Sequence, residues 1–596
     1  MHLLSLLSIL PDGLADSDLQ QSDIVPIEDI LTCKATLLRT SLGYVTSDHP
    51  PRLKLLAPIR EYLAKMYPPM HSHVHSLQEH FHQLLKIYSN NFGYAAGASA
   101  VKRLTSNRGN LRSVLLLGLN PMNNPDQIKA TVEAVIALNH FNRLTGQGGS
   151  DTMRRLPAAL TNLRDDDLDA RFVTEILNSW LINPQRDAES FIADGQRALS
   201  RMNNPTLESA FISQVGEYYR VHRNEFSLAR NHFERAIALG AVSGDTNTRC
   251  SSHVRFAWLL WQEGNYTESQ IHSQEAQRLA ELAGSLFPQI RALHIEAMAC
   301  ICLADYKRSA SLCQRARTLL DLCGITEGIA VMSLMNAEAE ITLLKTEYGA
   351  AREIQAEIVS RSSAERTPFS LAFAQLNIAS IDSIIGASSD EVLKNINGAR
   401  SLFRTVTVPT GLAYCDMVEA DLNLREGNFV AARSVLEKNF VAYYGKSSDF
   451  TMYCLERLGD PTPWGSRERV SSTWTFVFMA QAAQAGRKLE LLVALRCLGD
   501  VFVSVADTRT GEYLFRVALD GFARMDIHRR RAECLQRLGD IFVARGDRVG
   551  AVEVWKEARS LFERSMQFKN VDQIDAKLGR VEAVEELDGS AEWVQV

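Results

Sequence analysis

Glycine and proline are scarce: 34 Gly and 17 Pro together make 51 of the 596 residues, below the roughly 12% of average chains. Turns are therefore few, long helices are favoured, and a many-stranded sandwich is excluded. The ten cysteines (Cys33, Cys250, Cys300, Cys302, Cys313, Cys323, Cys415, Cys454, Cys497 and Cys534) form no CxxC pair. Most stand inside apolar helical patterns and read as small buried hydrophobes of a reducing compartment, not as disulfides or metal ligands. A surplus of positive charge is missing too. The formal charge is -6 and the pI near 6.2, so the field that holds a phosphate backbone is lacking and nucleic acid is not the expected partner. No window approaches the roughly 18 consecutive apolar residues of a membrane span, VLLLGL at 114–119 being among the longest. The apolar run Leu3–Leu10 has no Lys or Arg before it and Pro-Asp-Gly after it, which argues against a secretory signal. The expected compartment is the cytoplasm.

Catalytic constellations are absent as well. A phosphate-cradling loop needs GxxxxGK followed by Ser or Thr, because consecutive backbone N–H groups must wrap the phosphates. The only GKS is Gly445-Lys446-Ser447, and Phe440 stands where the first glycine belongs. Neither a GxSxG nucleophile elbow nor a GxGxxG after a strand occurs. His71, His73, His75, His80 and His82 form the densest histidine group; a helix from Val74 puts His75 and His82 on one face, but only Glu79 joins them, so the segment reads as a solvated linker helix. His294-Ile295-Glu296 has the HxE order of zinc deaminases without the PCxxC that completes that site. The sequon Asn265-Tyr266-Thr267 lacks a secretory context. No enzyme, cofactor or metal is expected.

What is there is a repeat, with 46% hydrophobic and 22% charged residues to build a sizeable core. Leu498-Gly499-Asp500 with Phe502 recurs as Leu538-Gly539-Asp540 with Phe542. After each glycine come a small residue (Gly511, Ala551), an aromatic four later (Phe515, Trp555) and an alanine three beyond that (Ala518, Ala558), one face of a second α-helix. Backward from Gly539 the small position falls on Gly459, Ala420, Ser380, Ala339, Ala297, Ala257 and Gly216, at steps of about 40. Second-helix positions follow at Ser269 and Ala276, Ser309 and Ala316, Ala351, Ala399, Ala432 and, one residue out of step, Ala229 with Phe233 and Ala236. Polar stops, often with an aromatic after them, separate the helices: Asn224-Glu225-Phe226, Gly264-Asn265-Tyr266, Asp305-Tyr306, Glu347-Tyr348, Gly427-Asn428-Phe429, Gly546-Asp547.

This spacing resembles the tetratricopeptide repeat. Its period exceeds the usual unit, as in the extended arrays of kinesin light chains and bacterial transcription activators, so each helix is expected to be longer by most of a turn. HEAT and armadillo units share the period but not the Leu-Gly and Ala-x3-aromatic-x2-Ala spacing. Pro461, Pro463 and Gly465 interrupt the array.

Residues 1–70 read differently: a helix over Leu3–Leu10, a short one at Asp16–Gln21, another from Pro26 through Thr40, extended pieces at Leu42–Val45 and Leu53–Leu56, then a helix Ile59–Met66. Helices followed by a hairpin make a winged-helix-like plan. The expected fold is therefore all-α, a tetratricopeptide-like α-solenoid with an N-terminal winged-helix-like domain (1–70), a helical linker bundle (71–204), repeats (205–440), an irregular joint (441–472) and C-terminal repeats with a cap (473–596).

Leu4–Leu14 (LSLLSILPDGL), ILTCKATLLRTSL at 30–42 and LAPIREYL at 56–63, followed by a repeat array ending in RAECLQRLGDIFVARGD, resemble the C-terminal part of fungal STAND-class proteins, NLR-like regulators in which a NACHT or NB-ARC nucleotide domain precedes a winged helix and repeats. The resemblance implies a nucleotide domain upstream, which this sequence lacks, and a nucleotide-sensing histidine near 56–63, where Ala57 and Pro58 stand. It implies a non-enzymatic protein-binding and sensing scaffold, the ligand-recognition part of an NLR-like regulator without its NTPase domain. The partners expected are a protein or peptide in the concave groove and an NTPase domain in cis or in trans, with no membrane and no nucleic acid. The alternative is a winged-helix transcription regulator with a repeat-based ligand sensor, against which Glu28 and Asp29 cancel Lys34 and Arg39 in the would-be reading helix. First helices of such repeats line the groove, so the residues flanking the small position are the candidate partner-binding set: Gln214, Glu217, Arg220, Arg496, Asp500, Arg537 and Asp540. The basic run His528-Arg529-Arg530-Arg531 is expected to meet solvent or a neighbouring acidic repeat.

Overall fold

Aromatic residues placed after polar stops begin the second helices. Helices Phe226–Ser243, Tyr266–Ala283, Tyr306–Leu322 and Tyr348–Arg361 all open on such a ring, and each of the four rings is buried. First helices alternate with them: Pro205–Tyr218, Thr246–Glu263, Leu286–Cys302, Ile329–Leu344 and Pro368–Ile385. In this computed structural model, residues 1–591 are described apart from 22–24, 26, 48, 92, 95, 96, 148–150, 179–187 and 465–468. The chain is an all-α solenoid of tetratricopeptide-like repeats behind a small mixed head.

The sequence register places the small residues where helices touch. Ala257, Ala297 and Ala420 are fully buried, and a Cβ on Gly499 would come within 2.6 Å of the Phe515 ring. One position slips: Ser380 is half-buried and Ala379 takes its place in the core. On the second helices the face at i, i+4, i+7 is buried throughout, as in Ala229–Phe233–Ala236, Ser309–Cys313–Ala316, Val392–Ile396–Ala399 and Ala551–Trp555–Ala558. Most helices of the repeat array run to 17 or 18 residues, consistent with the long period.

The array continues through 441–472, where an irregular joint was expected. Helix Ser448–Gly459 is a regular first helix, Pro461–Trp464 adds one turn, and Arg469–Gln484 is its second helix. The glycine of Leu458-Gly459 still meets the facing helix at Thr475. The prolines lengthen one inter-helix turn without breaking the stack, because they fall after the first helix has ended.

In the head, strands β1 (Leu14–Ala15), β2 (Gly43–Val45) and β3 (Arg52–Leu55) form an antiparallel sheet of order β1-β3-β2. The two-residue β1 is too short to show an alternation and was not foreseen. The helix expected from Pro26 begins at Ile30 and ends at Arg39; Pro26 lies outside the described residues. Arg52 ties the head to the following bundle: its buried guanidinium donates to the carbonyls of Asp12 and Gly13 and to Asn107 Oδ1. One apolar cluster runs from Leu3 in the head to Ala236 in the first repeat.

Adjacent first helices pack on one another, while adjacent second helices do not to a comparable extent, so the stack curves with the first helices inside. Successive superhelical turns then rest on each other. Tyr266 donates to Ser448 Oγ at 3.1 Å, the Arg529 N–H to Thr346 Oγ1 at 3.2 Å, and Gln567 Nε2 to the Ile384 carbonyl at 3.2 Å. These partners stand 182 or 183 residues apart in the chain, between four and five repeats per turn. The bundle is the start of the same spiral, with the backbones of Gly146 and Gly328 so close that a Cβ on Gly146 would lie 2.8 Å from the Gly328 Cα.

Candidate functional site

The residue after each small position projects to the inner face, and in this chain it is mostly acidic: Glu217, Glu340, Asp421, Asp460, Asp500 and Asp540. In the last four of these repeats it meets a base 36 or 37 residues on, from the next first helix. Arg457 Nε donates to Asp421 Oδ1 at 3.0 Å, Arg496 Nη2 to Asp460 Oδ2 at 2.8 Å, Arg537 Nε pairs with Asp500 Oδ1 at 2.7 Å, and Lys577 Nζ donates to Asp540 Oδ2 at 2.8 Å. The result is a ladder of inter-repeat ion pairs. Each rung is charge-assisted and partly shielded from water, where such pairs hold geometry well.

Four sequence-designated residues, Arg496, Asp500, Arg537 and Asp540, are therefore rungs of this ladder. Arg496 is only 3% exposed and also touches Asp500 and Glu533. Glu533 is held well below the usual carboxylate range: burial would raise it, but Arg530, Arg529 and Arg496 outweigh that. The basic run meets carboxylates in the same way. Arg529 pairs with Glu533, Arg530 with Glu456 and Glu533, and Arg531 with Glu557.

The other three, Gln214, Glu217 and Arg220, lie in the first repeat, where the ladder changes. Helix Pro205–Tyr218 runs on into a π-helical turn, Tyr219–Arg223, a rare form that inserts a residue and re-aims side chains. Arg220, in that turn, grips Glu217 with both ends of its fork, Nε–Oε2 at 2.9 Å and Nη2–Oε1 at 2.6 Å, and donates from Nη1 to Gln262 at 2.7 Å. Burial would raise the Glu217 carboxyl, yet Arg220, with Arg255 and Arg291, holds it at about 2.

Arg255 occupies the rung opposite Glu217 but finds that carboxylate already taken. Among the described residues its hydrogen-bond partner is the Ser213 hydroxyl, at 3.1 Å from Nη1, and it is 6% exposed. Arg291, on the next first helix, has no hydrogen bond or ion pair among the described residues. Arg143, from the bundle, belongs to the same electrostatic group and pairs with Glu175 at 3.4 Å. Four guanidiniums thus face two carboxylates. Burial, then Arg291, pulls the Arg255 guanidinium down to about 9, and burial lowers Arg291 as well; both stay charged at neutral pH. His294 sits one turn beyond Arg291, its ring 5.4 Å from Trp258, and burial and Arg291 push it down to about 4.

Arg143, Arg255 and Arg291 were not designated from the sequence. Arg255 was within reach of the register, since it stands two before Ala257 as Gln214 stands two before Gly216 and Arg537 two before Gly539. Arg143 joins only through tertiary contact. Further along the inner face the balance reverses: Glu340, Asp449 and Glu490 surround one cation, Arg487.

Other sequence motifs are dispersed. His294 faces Trp258, whereas Glu296 binds Arg308 and Gln277 on neighbouring helices. His75 pairs with Glu79 at 3.4 Å, and burial lowers His82 to about 4. Among the described residues no three His, Cys, Asp or Glu side chains gather as a metal-binding group. Nine cysteines are buried and Cys33 is half-buried, all ten free; burial pushes the Cys250 and Cys454 thiols up to about 12.

No protein-family model and no curated protein matches the chain. Among solved structures it is similar to a Rap protein complexed with Competence and Sporulation Factor, at 12% identity and a TM-score of 0.32, over 66% of this chain and 98% of that one. A Signal Transduction ATPase with Numerous Domains carrying a tetratricopeptide repeat sensor, from Pyrococcus horikoshii, is similar at 13% identity and a TM-score of 0.33, over 68% of this chain and 63% of that one. Human IFIT1 as a dimer with PPP-AAAA is similar at 13% identity and a TM-score of 0.31, over 76% of this chain and 93% of that one.

Proposed function

We propose that the chain is a non-catalytic, cytoplasmic binding scaffold that recognises a protein segment or peptide on its inner face, as the ligand-recognition part of an NLR-like regulator whose NTPase domain acts in cis or in trans. The observation that carries this reading is the pair Arg255 and Arg291, two charged side chains on the concave side that form no ion pair with a carboxylate among the described residues. Folded chains pair such groups when the only task is stability. The winged-helix-like head supports a protein partner over DNA. Its exposed large residues include Leu31 (61%), Tyr62 (59%) and Met66 (54%), and Lys34 of the would-be reading helix is tied to Asp16. Exposed apolar groups of this size mark protein contacts, whereas a DNA-reading surface is basic. The ten free cysteines support a reducing compartment.

Selection of random peptides displayed against the full chain tests the reading. Enriched peptides that crosslink to the first helices of the early repeats are expected. The double variant Arg255→Glu with Arg291→Glu should shift the enriched sequences towards basic ones. Failure to enrich any peptide overturns the scaffold reading, and a shifted band of duplex DNA at low salt replaces it with the transcription-regulator alternative.

A further inference from the structure

The ladder of the inner face states what each repeat does with its charges, and one site departs from it. In the last four rungs acid and base neutralise each other across neighbouring first helices. In the first rung the π-helical turn supplies an additional base. Arg220 takes Glu217 in a two-point grip, Arg143 has Glu175, Arg255 donates to the Ser213 hydroxyl, and Arg291, on the first helix packed against that of Arg255, makes no hydrogen bond or ion pair among the described residues. We propose that Arg255 and Arg291 clamp a carboxylate side chain of an acidic peptide segment, with Ser213 as an added donor and the Trp258–His294 pair as the wall beside it. This deepens the scaffold reading and rests on it.

Three features specify the ligand. Two planar guanidiniums from successive helices offer paired N–H donors, the arrangement that matches a carboxylate or phosphate oxygen pair. Burial, then Arg291, depresses the Arg255 guanidinium, and burial, with Arg143 and Arg220 against the attraction of Glu217, depresses Arg291; a bound anion offsets this, so occupancy should stabilise the fold. The third feature separates peptide from nucleic acid. Helix Ile329–Leu344 packs directly on Leu286–Cys302, and its Glu340 belongs to a group of three carboxylates around the single Arg487. A strand bearing phosphate at every step would meet that acidic group one repeat beyond the arginines. A peptide with an acidic residue at one point and a neutral or basic one further on suits both.

The test is fluorescence anisotropy of dye-labelled oligoglutamate and oligoglutamine peptides with the full chain, run with inorganic phosphate and ATP as competitors and read again through Trp258 emission. Oligoglutamate should bind, more weakly as salt rises, and oligoglutamine should not. Arg291→Gln should weaken oligoglutamate binding by roughly tenfold or more, with little change in melting temperature because no hydrogen bond or ion pair is lost. Arg524→Gln, on an outer helix and paired among the described residues only with Asp520, should change nothing. Equal binding of both peptides, or binding indifferent to Arg291→Gln while displayed peptides still bind, overturns the clamp and leaves the scaffold standing. Displacement by inorganic phosphate or ATP at matching concentration reassigns the site to a phosphate ligand and overturns the peptide assignment. A large fall in melting temperature for Arg291→Gln overturns the clamp by showing a direct structural partner. Binding of no peptide at all overturns both readings.

Discussion

Glu340 and Glu217 titrate in opposite senses, and together they bound the pH range in which the array is firm. Burial, then Asp449 and Glu490 against the opposing Arg487, pushes the Glu340 carboxyl up to about 7. A group whose pKa is raised on folding contributes fully below its unfolded value of 4.5 and loses that contribution as pH rises through about 7. Glu217 is held down at about 2, so its contribution is present above 4.5 and is lost as pH falls towards 2. Stability should therefore decline on both sides of a mildly acidic optimum. Between about pH 5 and about pH 8 the parent should lose on the order of 2 to 3 kcal/mol relative to Glu340→Gln. Urea unfolding at the two pH values measures this, and parallel curves for parent and variant would remove Glu340 as the cause. In the sequence, Glu340 is one acid among many; only the approach of Asp449 and Glu490 from repeats further along the chain makes it exceptional.

Between the two helices of a repeat, contact depends on small side chains and on a hydroxyl that the register did not explain. Ser269 donates to the Ala257 carbonyl at 2.8 Å, Ser309 to Ala297 at 3.0 Å and Thr475 to Gly459 at 2.6 Å. Each hydroxyl on the second helix satisfies the carbonyl of the small residue it packs against, so serine here does the work of alanine and adds a bond. Ser309→Ala should cost about 1 kcal/mol. Larger side chains do more harm. The indole of Trp555 occupies the space where a Cβ on Gly539 would sit, so Gly539→Leu and Ala551→Trp should each lower the melting temperature, with overpacking costs of about 1 to 3 kcal/mol. An unchanged melt would count against this pairing of helices. The small-residue spacing was legible because close approach excludes bulk at fixed intervals of a helix. The slip to Ala379 was not, because Ala379 and Ser380 are both small and only the packing of Val392, Ile396 and Ala399 selects between them.

Across the whole molecule, the turns of the spiral are joined by polar groups at their inter-helix loops. Arg487 is the largest such junction: it pairs with Asp449 and Glu490 and donates to Tyr266 OH at 2.9 Å, a residue 221 positions earlier. Removing it in Arg487→Ala leaves Asp449 and Glu490 beside Glu340 without their cation, so the turns should separate. A larger radius of gyration by small-angle scattering, greater at about pH 8 than at about pH 5 as Glu340 ionises, is the expected outcome. An unchanged radius would show that the remaining contacts hold the turns together without Arg487. Helix Pro368–Ile385 also takes its meaning at this scale. It is long and apolar enough to cross a membrane, with a mean hydropathy of 1.2, yet half of that window is buried against neighbouring helices, among them Ala372, Leu376 and Ile381. The C-terminal helix Phe568–Ala591 closes the array, its Lys577 bonded to Asp540 and poised 5.6 Å from the Trp555 ring.

The sequence alone determined the helices, their period and the faces that meet, because these follow from side-chain volume and polarity at spacings a helix imposes locally. It also marked the inner-face positions, so Gln214, Glu217 and Arg220 could be named. The tertiary structure decided which charges cancel. Arg496, Asp500, Arg537 and Asp540 look like Arg220 and Glu217 in sequence, yet they neutralise one another or a neighbouring base. Arg255 meets the Ser213 hydroxyl in place of a carboxylate because a π-helical turn brings Arg220 onto Glu217. Coulomb energy depends on distances that chain separation does not encode, and a curved stack whose turns return after 182 or 183 residues sets those distances only once it has closed.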